Sequence, residues 1–335
     1  MRLRFWLNNA RTVALPQSVT PAVLAICLSA HSEHFCLWTA LVSLVGIAFA
    51  HLSVNLLDDY FDYRNAGIES RQKLHRAGMR ARIAKATYLA EGEATLEQTF
   101  RTACLFGCIA VGAGAAVFCH WQQMSPQGGM PILLLAGLGG LLGFFYSAKP
   151  LMLCYRGLGE MTTGIIFGPL LILGMNYASC GTFSSGVAWI SIAVGLLVTN
   201  ILYTHSIMDA EPDRSVGKKT LATLLATPKR MLLGVCLLNF LPYACVVLGV
   251  ALGHCPAWFL MCLATLPMAV ALYRLMRRYV EASAPDHPTP HWWMGPMANW
   301  DAIANAGLDW FMIRWYLSRN LLTFFVLILA VVCFL

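Results

Sequence analysis

The chain reads as an all-α polytopic membrane protein, a bundle of nine transmembrane helices with a cytoplasmic N-terminus. Composition, run length and charge placement each lead there. Of 335 residues, 58% are hydrophobic and only 12% charged, with a mean hydropathy of +0.64. A soluble domain carries about 25% charged residues. Nine apolar runs recur along the chain, most of them near the ~20 residues that a helix needs to cross a bilayer. All 23 Lys and Arg fall in, or at span ends beside, the segments that this count puts on one side. That asymmetry is what the positive-inside rule requires, and a miscounted run would destroy it downstream.

The first run covers about 13–29, after Arg2, Arg4 and Arg11, with Pro16 and Pro21 near its start, where a missing N–H is tolerated. The second, about 35–57, ends directly in Asn55-Leu-Leu-Asp58-Asp59-Tyr-Phe-Asp62, and a polar loop is expected over about 58–98. Runs three and four lie at about 100–120 and 130–148. The fifth, about 158–178, follows a short basic turn, and the sixth covers about 186–207. A second polar loop, about 208–228, leads to runs at 231–252, 257–274 and 320–335. One bundle uses the whole chain, so 1–335 is read as a single domain. No cleavable leader is expected, because the first apolar segment lacks a small-residue cleavage site and many spans follow.

Most of the twelve cysteines lie inside the apolar runs, and there is no C-x-x-C pair. They read as small buried hydrophobes. The net charge of +7 is taken up by one membrane face, so the bilayer is an expected partner and nucleic acid is not. The segment 280–319 carries four prolines and five tryptophans. It is expected to lie among the headgroups, and a sharper reading makes it the lining of a lipid-substrate entrance.

Two acidic clusters carry the chemistry. On a helix, Asn55, Asp59 and Asp62 fall at i, i+4 and i+7, and Asp58 and Asp62 at i, i+4, so they share a face. Carboxylates this close repel one another unless a cation sits between them, and near a bilayer they mark function. An oxygen-rich face of this kind suits Mg²⁺ shared with substrate phosphates. The second cluster, Asp209-Ala-Glu211-Pro-Asp213, leaves run six on the same membrane face. Basic residues follow each: Arg64, Arg71, Lys73 and Arg76 after the first, Lys218 and Lys219 after the second. Two carboxylate clusters backed by cations would hold a diphosphate, with Mg²⁺ bridging oxygens and Lys or Arg neutralising the rest. The bland alternative for either cluster alone is a solvated loop whose acids pair with nearby bases. Asn200 precedes the second cluster much as Asn55 sits in the first. His51, one turn before Asn55, is either a structural hydrogen-bonder or a substrate contact.

Other classes use similar residues. A CDP-alcohol phosphotransferase would carry a long Asp-Gly-x-x-Ala-Arg-type motif, which is not found. A cation transporter would put its acids near the bilayer midplane, whereas these stand at span ends.

The segments Asn55-x-x-x-Asp59-x-x-Asp62 and Asp209-x-x-x-Asp213 with Gly217-Lys-Lys-Thr after it, on nine spans, resemble the UbiA superfamily of intramembrane aromatic prenyltransferases. The stretch Tyr146-Ser-Ala-Lys-Pro, then Tyr155-Arg156-Gly-Leu-Gly-Glu160 and Phe167-Gly-Pro, is most similar to the 1,4-dihydroxy-2-naphthoate polyprenyltransferase branch, which makes the menaquinone precursor. The resemblance covers about 10–275. Leu56 after Asn55 departs from the Asn-Asp form common in the hydroxybenzoate enzymes and fits the naphthoate branch better. By this resemblance Asn55, Asp59, Asp62, Asp209 and Asp213 would hold Mg²⁺ and a polyprenyl diphosphate, Asp58 standing as an alternative to Asp59. Lys218 and Lys219, with Arg64 or Lys73, would bind diphosphate oxygens. Tyr146, Lys149 and Arg156 would meet the carboxylate of an aromatic acceptor or the phosphates, and Glu160 is either part of that site or a structural anchor. The glycine-rich segments 107–114 and 137–143 would admit the prenyl tail or allow helices to approach. The implied location is the cytoplasmic membrane, with the site facing the cytoplasm.

Overall fold

Seven helices among the described residues are long and apolar enough to cross a membrane. The computed structural model describes residues 3–77, 87–215, 217–282 and 286–335, and within these the side chains of 65–77, 87 and 90 stay undescribed. In chain order, α1 (Leu3–Asn9) and a 3-10 turn (Thr12–Ala14) lead into α2 (Pro16–Ser29). Then come α3 (Leu37–Ala77), the one-turn α4 (Thr87–Ala90), α5 (Leu96–Met124) and α6 (Met130–Phe144). The second half holds α7 (Gly159–Cys180), α8 (Ser185–Met208), two short helices α9 (Ala210–Ser215) and α10 (Leu221–Leu225), and α11 (Pro228–Ala251). It ends with α12 (Ala257–Glu281), α13 (Trp300–Asn305) and α14 (Asp309–Val332).

Each predicted apolar run coincides with one of the seven long helices or with the shorter apolar helices α2 and α6. At 1.5 Å per residue those two measure about 21 and 23 Å, less than the ~30 Å hydrocarbon core. The largest departure from expectation is at 58–98, read as a polar loop. There α3 continues as helix through Ala77, so the acidic motif is helical rather than the start of a loop. Charge marks where the bilayer ends, but no proline interrupts the backbone ladder there, so the helix runs on past it. The last span likewise begins at Asp309, so about three turns of helix precede the expected start at 320.

Helix α7 contains a π-helical turn, Ile166–Leu170, around Pro169, whose missing N–H breaks the regular ladder. The turn sits where α7 and α8 touch. A Cβ on Gly168 would lie 2.4 Å from the Gly195 Cα, so glycine at both positions is what lets these backbones meet. In the glycine-rich segments, Gly107 and Gly143 pack closely on α3 side chains, whereas Gly112, Gly137, Gly139 and Gly140 look into open space. The main apolar core lies among α2, α7, α8, α11, α12 and α14. A smaller one, built on Trp6, Leu56, Tyr88 and Phe106, clamps α1 and α4 against α3 and α5.

The Trp- and Pro-rich segment is strapped onto α14. Asn320 Nδ2 donates to the carbonyls of Met294 and Pro296 at 2.9 and 3.0 Å, and Asp286 ion-pairs with the fully buried Arg314.

Candidate active site

The first acidic cluster lies on one face of α3, with Asp58, Asp59 and Asp62 only 9%, 0% and 2% exposed. Three buried carboxylates need donors, and the chain brings them from three distant segments. Asn55 Nδ2 donates to the Ala10 carbonyl at 2.9 Å, which pins the turn after α1 over the cluster. The next residue, Arg11, adopts a left-handed backbone (φ 61°), a conformation that non-glycine residues hold mainly where the surroundings enforce it. Its guanidinium ion-pairs with Asp59 and lies 3.6 Å from Asp58. Burial opposes the charge on Arg11, but the Asp59 and Asp58 carboxylates outweigh it and raise its pKa. The Tyr88 hydroxyl donates to the other Asp59 oxygen at 3.4 Å. Burial and the Asp59 charge together push the Tyr88 hydroxyl upward.

The loop between α6 and α7 supplies the remaining donors. Its chain folds back on itself, with the Leu153 and Cys154 N–H groups donating to the Phe145 and Tyr146 carbonyls. That presents two hydroxyls to α3: Ser147 Oγ donates to Asp58 and the Tyr155 hydroxyl to Asp62, both at 2.5 Å.

The second cluster follows α8. Helix α8 stops at Met208, and the Asp213 N–H donates to the Asp209 carbonyl at 2.9 Å. Pro212 falls in the first turn of α9, where it costs no hydrogen bond. Asp209 and Asp213 are 6% and 5% exposed, and Lys218 Nζ stands 3.2 Å from Asp213. The same α6–α7 loop reaches this cluster as well. Arg156 forms a parallel backbone bridge with Lys219. Glu160 Oε1 accepts from Ser206 Oγ at 2.5 Å and from the Leu221 N–H at 3.1 Å. One loop therefore ties both clusters into a single assembly.

Of the residues singled out from the sequence, Asn55, Asp58, Asp59, Asp62, Asp209, Asp213 and Lys218 lie within these two linked clusters. Arg64 is exposed and donates instead to Tyr60 on its own helix at 2.9 Å. Lys149, Arg156 and Lys219 are exposed and Tyr146 half-buried, and Arg156 spends one nitrogen on the Pro150 carbonyl at 2.9 Å. The Lys73 side chain lies outside the described residues. His51 bonds Ser18 at 2.8 Å and Asn200 donates to Asn239 at 2.8 Å, so both tie helices together. Glu160 accepts from α8 and from the first turn of α10 at once, and so links those helices.

Sequence reading did not place Arg11, Tyr88, Ser147 or Tyr155 at the site. Arg11 was visible as the last base before the first run, and Ser147 and Tyr155 stand in the stretches that carried the family resemblance. Tyr88 had no signal beyond its lying in the same polar segment.

Among the described residues, no three carboxylate, imidazole or thiol groups converge into a ready-made metal cage. The donor set still fits Mg²⁺. That ion takes one or two carboxylates and completes its shell with water and substrate phosphates, and every acid here is a hard oxygen donor.

The model of the UbiA prenyltransferase family matches residues 18–294. The chain is 27% identical over 238 residues to 1,4-dihydroxy-2-naphthoate octaprenyltransferase of Escherichia coli, covering 71% of this chain and 73% of that one. It is 29% identical over 281 residues to human UbiA prenyltransferase domain-containing protein 1, covering 83% and 74%. A UbiA homolog from Archaeoglobus fulgidus, solved with GPP and Mg²⁺, superposes with a TM-score of 0.61 at 14% identity over 94% of this chain and 99% of that one. The phosphotransferase and transporter alternatives fall away, and the chain belongs to the UbiA prenyltransferase family.

Proposed function

We propose that this prenyltransferase moves a polyprenyl group from an allylic diphosphate to 1,4-dihydroxy-2-naphthoate in an Mg²⁺-dependent reaction, as in menaquinone synthesis. The observation that carries the proposal is the α6–α7 loop, which bonds Asp58 and Asp62 with its hydroxyls and bridges to Lys219 beyond Asp209 and Asp213. It holds two acidic clusters in one assembly, the arrangement that a bridged diphosphate needs. The Archaeoglobus fulgidus homologs hold GPP or DMAPP with Mg²⁺, which supports the same ligand class here. The naphthoate enzymes among the relatives support the acceptor.

Asp58, Asp59, Asp62, Asp209 and Asp213 would hold the metal, with Asn55 fixing the turn above them. When bound, Mg²⁺ neutralises charge that builds on the departing diphosphate oxygens. Lys218 and Lys219 bind the same oxygens, with Arg64 or Lys73 as a further cation. As the allylic C1–O bond breaks, the electron pair leaves with diphosphate and C1 becomes cationic. The ring carbon that bears the carboxylate bonds to C1, and loss of that carboxylate as CO₂ returns its bonding pair to the ring and restores aromaticity. Tyr146, Lys149 and Arg156 flank that acceptor. The surrounding apolar bundle keeps water from the cation. In the membrane, nine crossings with the N-terminus and both clusters on the cytoplasmic side satisfy the charge asymmetry.

The test is purified protein in detergent with Mg²⁺, a polyprenyl diphosphate and either dihydroxynaphthoate or 4-hydroxybenzoate. Diphosphate release with formation of demethylmenaquinol, which air then oxidises to demethylmenaquinone, is expected, and Asp59→Ala and Asp209→Ala each abolish it. Turnover of 4-hydroxybenzoate alone would move the chain to another acceptor. Unchanged rates in both variants would reject the site.

A further inference from the structure

A groove of about 740 Å³ opens between α12 and the Trp-rich strap. None of the residues named at the two acidic clusters lines it. Leu266, Val270 and Ala271 of α12 line its floor, and Trp293 and Met294 of the strap line its wall. Arg274 and Arg278, one turn apart, and His287 and His291 stand around it, all four exposed. Neither arginine has a carboxylate partner among the described residues. Glu281 pairs with Arg277 at 3.0 Å, Asp309 with His287 at 2.9 Å, and Asp286 with Arg314. The wall is built rather than loose, because Asn320 holds the Met294 and Pro296 carbonyls. Beside it Trp292 is 92% exposed, the placement of an interfacial anchor.

We infer that this groove holds one anionic phospholipid of the surrounding leaflet, its phosphate on Arg274 and Arg278 and an acyl chain along Leu266–Ala271. Charge complementarity selects an anionic headgroup. The apolar floor selects a lipid over free phosphate, which would leave that surface wet. Scale agrees too: from Leu266 to Arg278 the helix rises about 18 Å, the length of one acyl chain beneath its phosphate. The exposed arginine stems lie along the groove while their heads reach the interface.

The experiment is native mass spectrometry of the full chain in detergent, titrated with phosphatidylglycerol or phosphatidylcholine of identical acyl chains. Two guanidinium groups at a lipid headgroup lead to about a 30-fold preference for phosphatidylglycerol. Arg274→Gln/Arg278→Gln should abolish the preference while prenyl transfer in detergent stays unchanged. Ala271→Phe, which fills the floor, should lower retention of both lipids. Equal retention of the two lipids by wild-type protein overturns the inference. So does an undiminished preference in the double variant. Displacement of phosphatidylglycerol by inorganic phosphate would make this a free-anion site, and displacement by farnesyl diphosphate a substrate vestibule; either result also overturns it.

Discussion

Arg11 ion-pairs with Asp59 from 48 residues away, and Asp59 has no solvent exposure at all. Removing one member of such a pair leaves a buried charge uncompensated, at a cost of about 3–5 kcal/mol. Arg11→Gln should therefore lower the thermal unfolding midpoint in detergent substantially. Arg11→Lys keeps the charge but loses the planar fork that spans Asp58 and Asp59, and should fall between the two. Added Mg²⁺ should raise the midpoint of Arg11→Gln more than that of wild type. Equal rises would show that these carboxylates do not take up the ion.

The Tyr155–Asp62 bond makes a separate prediction. A hydroxyl donating to a carboxylate contributes about 1.5–3 kcal/mol. Tyr155→Phe retains the ring and loses only that donation. It should raise the Mg²⁺ concentration needed for half-maximal prenyl transfer and slow turnover by about tenfold or more, in line with that energy. The fold should remain, since Arg156 still bridges Lys219 through backbone atoms. A variant with wild-type Mg²⁺ dependence would mean that Asp62 does not serve the metal.

Tyr88 gives a pH test. Its ordinary pKa of 10 is raised in the folded protein, by burial first and the Asp59 charge second. Below about pH 10 the hydroxyl is protonated both folded and unfolded, so its contribution to stability is fully present. Above that, the unfolded chain ionises first and the contribution is lost as pH climbs toward the folded value. Wild-type protein should thus lose more stability between pH 9 and 11 than Tyr88→Phe, measured by thermal unfolding. Parallel curves would remove Tyr88 from contact with Asp59.

The acidic clusters were readable because carboxylates are rare in an apolar sequence and these stand at the ends of its runs. The spans were readable for the same reason. The donors to the clusters were not. Ser147 and Tyr155 reach Asp58 and Asp62 across 89 and 93 residues, and a neutral hydroxyl in a loop has no periodicity that points to such a partner. Arg11 was counted only as charge on the inner face, because its left-handed turn is set by tertiary contacts with Asn55 and α3. The overlong α3 escaped because hydropathy reports the edge of the bilayer and not the end of a backbone ladder. Closeness in sequence is a weak guide to contact as well: Arg64 stands beside the first cluster in the chain, yet its guanidinium donates to Tyr60 one turn back.

Glu160 tests the division between anchor and active group. It is 4% exposed, and one of its oxygens accepts from both Ser206 and the Leu221 N–H. Lys218 and Lys219 lie just before Leu221, so that bond fixes the end of the loop that carries these lysines. Glu160→Ala leaves a buried N–H and a hydroxyl without their acceptor, each costing about 1–3 kcal/mol. Glu160→Gln keeps an acceptor oxygen and should lose far less. If Glu160 is an anchor, the alanine variant unfolds at lower temperature and its KM for prenyl diphosphate rises as the lysine loop loosens, while KM for the aromatic acceptor holds. A rise confined to the acceptor KM, with the unfolding midpoint preserved, would instead place the carboxylate against the acceptor. The glutamine variant separates the two readings further: an anchor needs only an oxygen at that point, so Glu160→Gln should restore both the midpoint and the diphosphate KM.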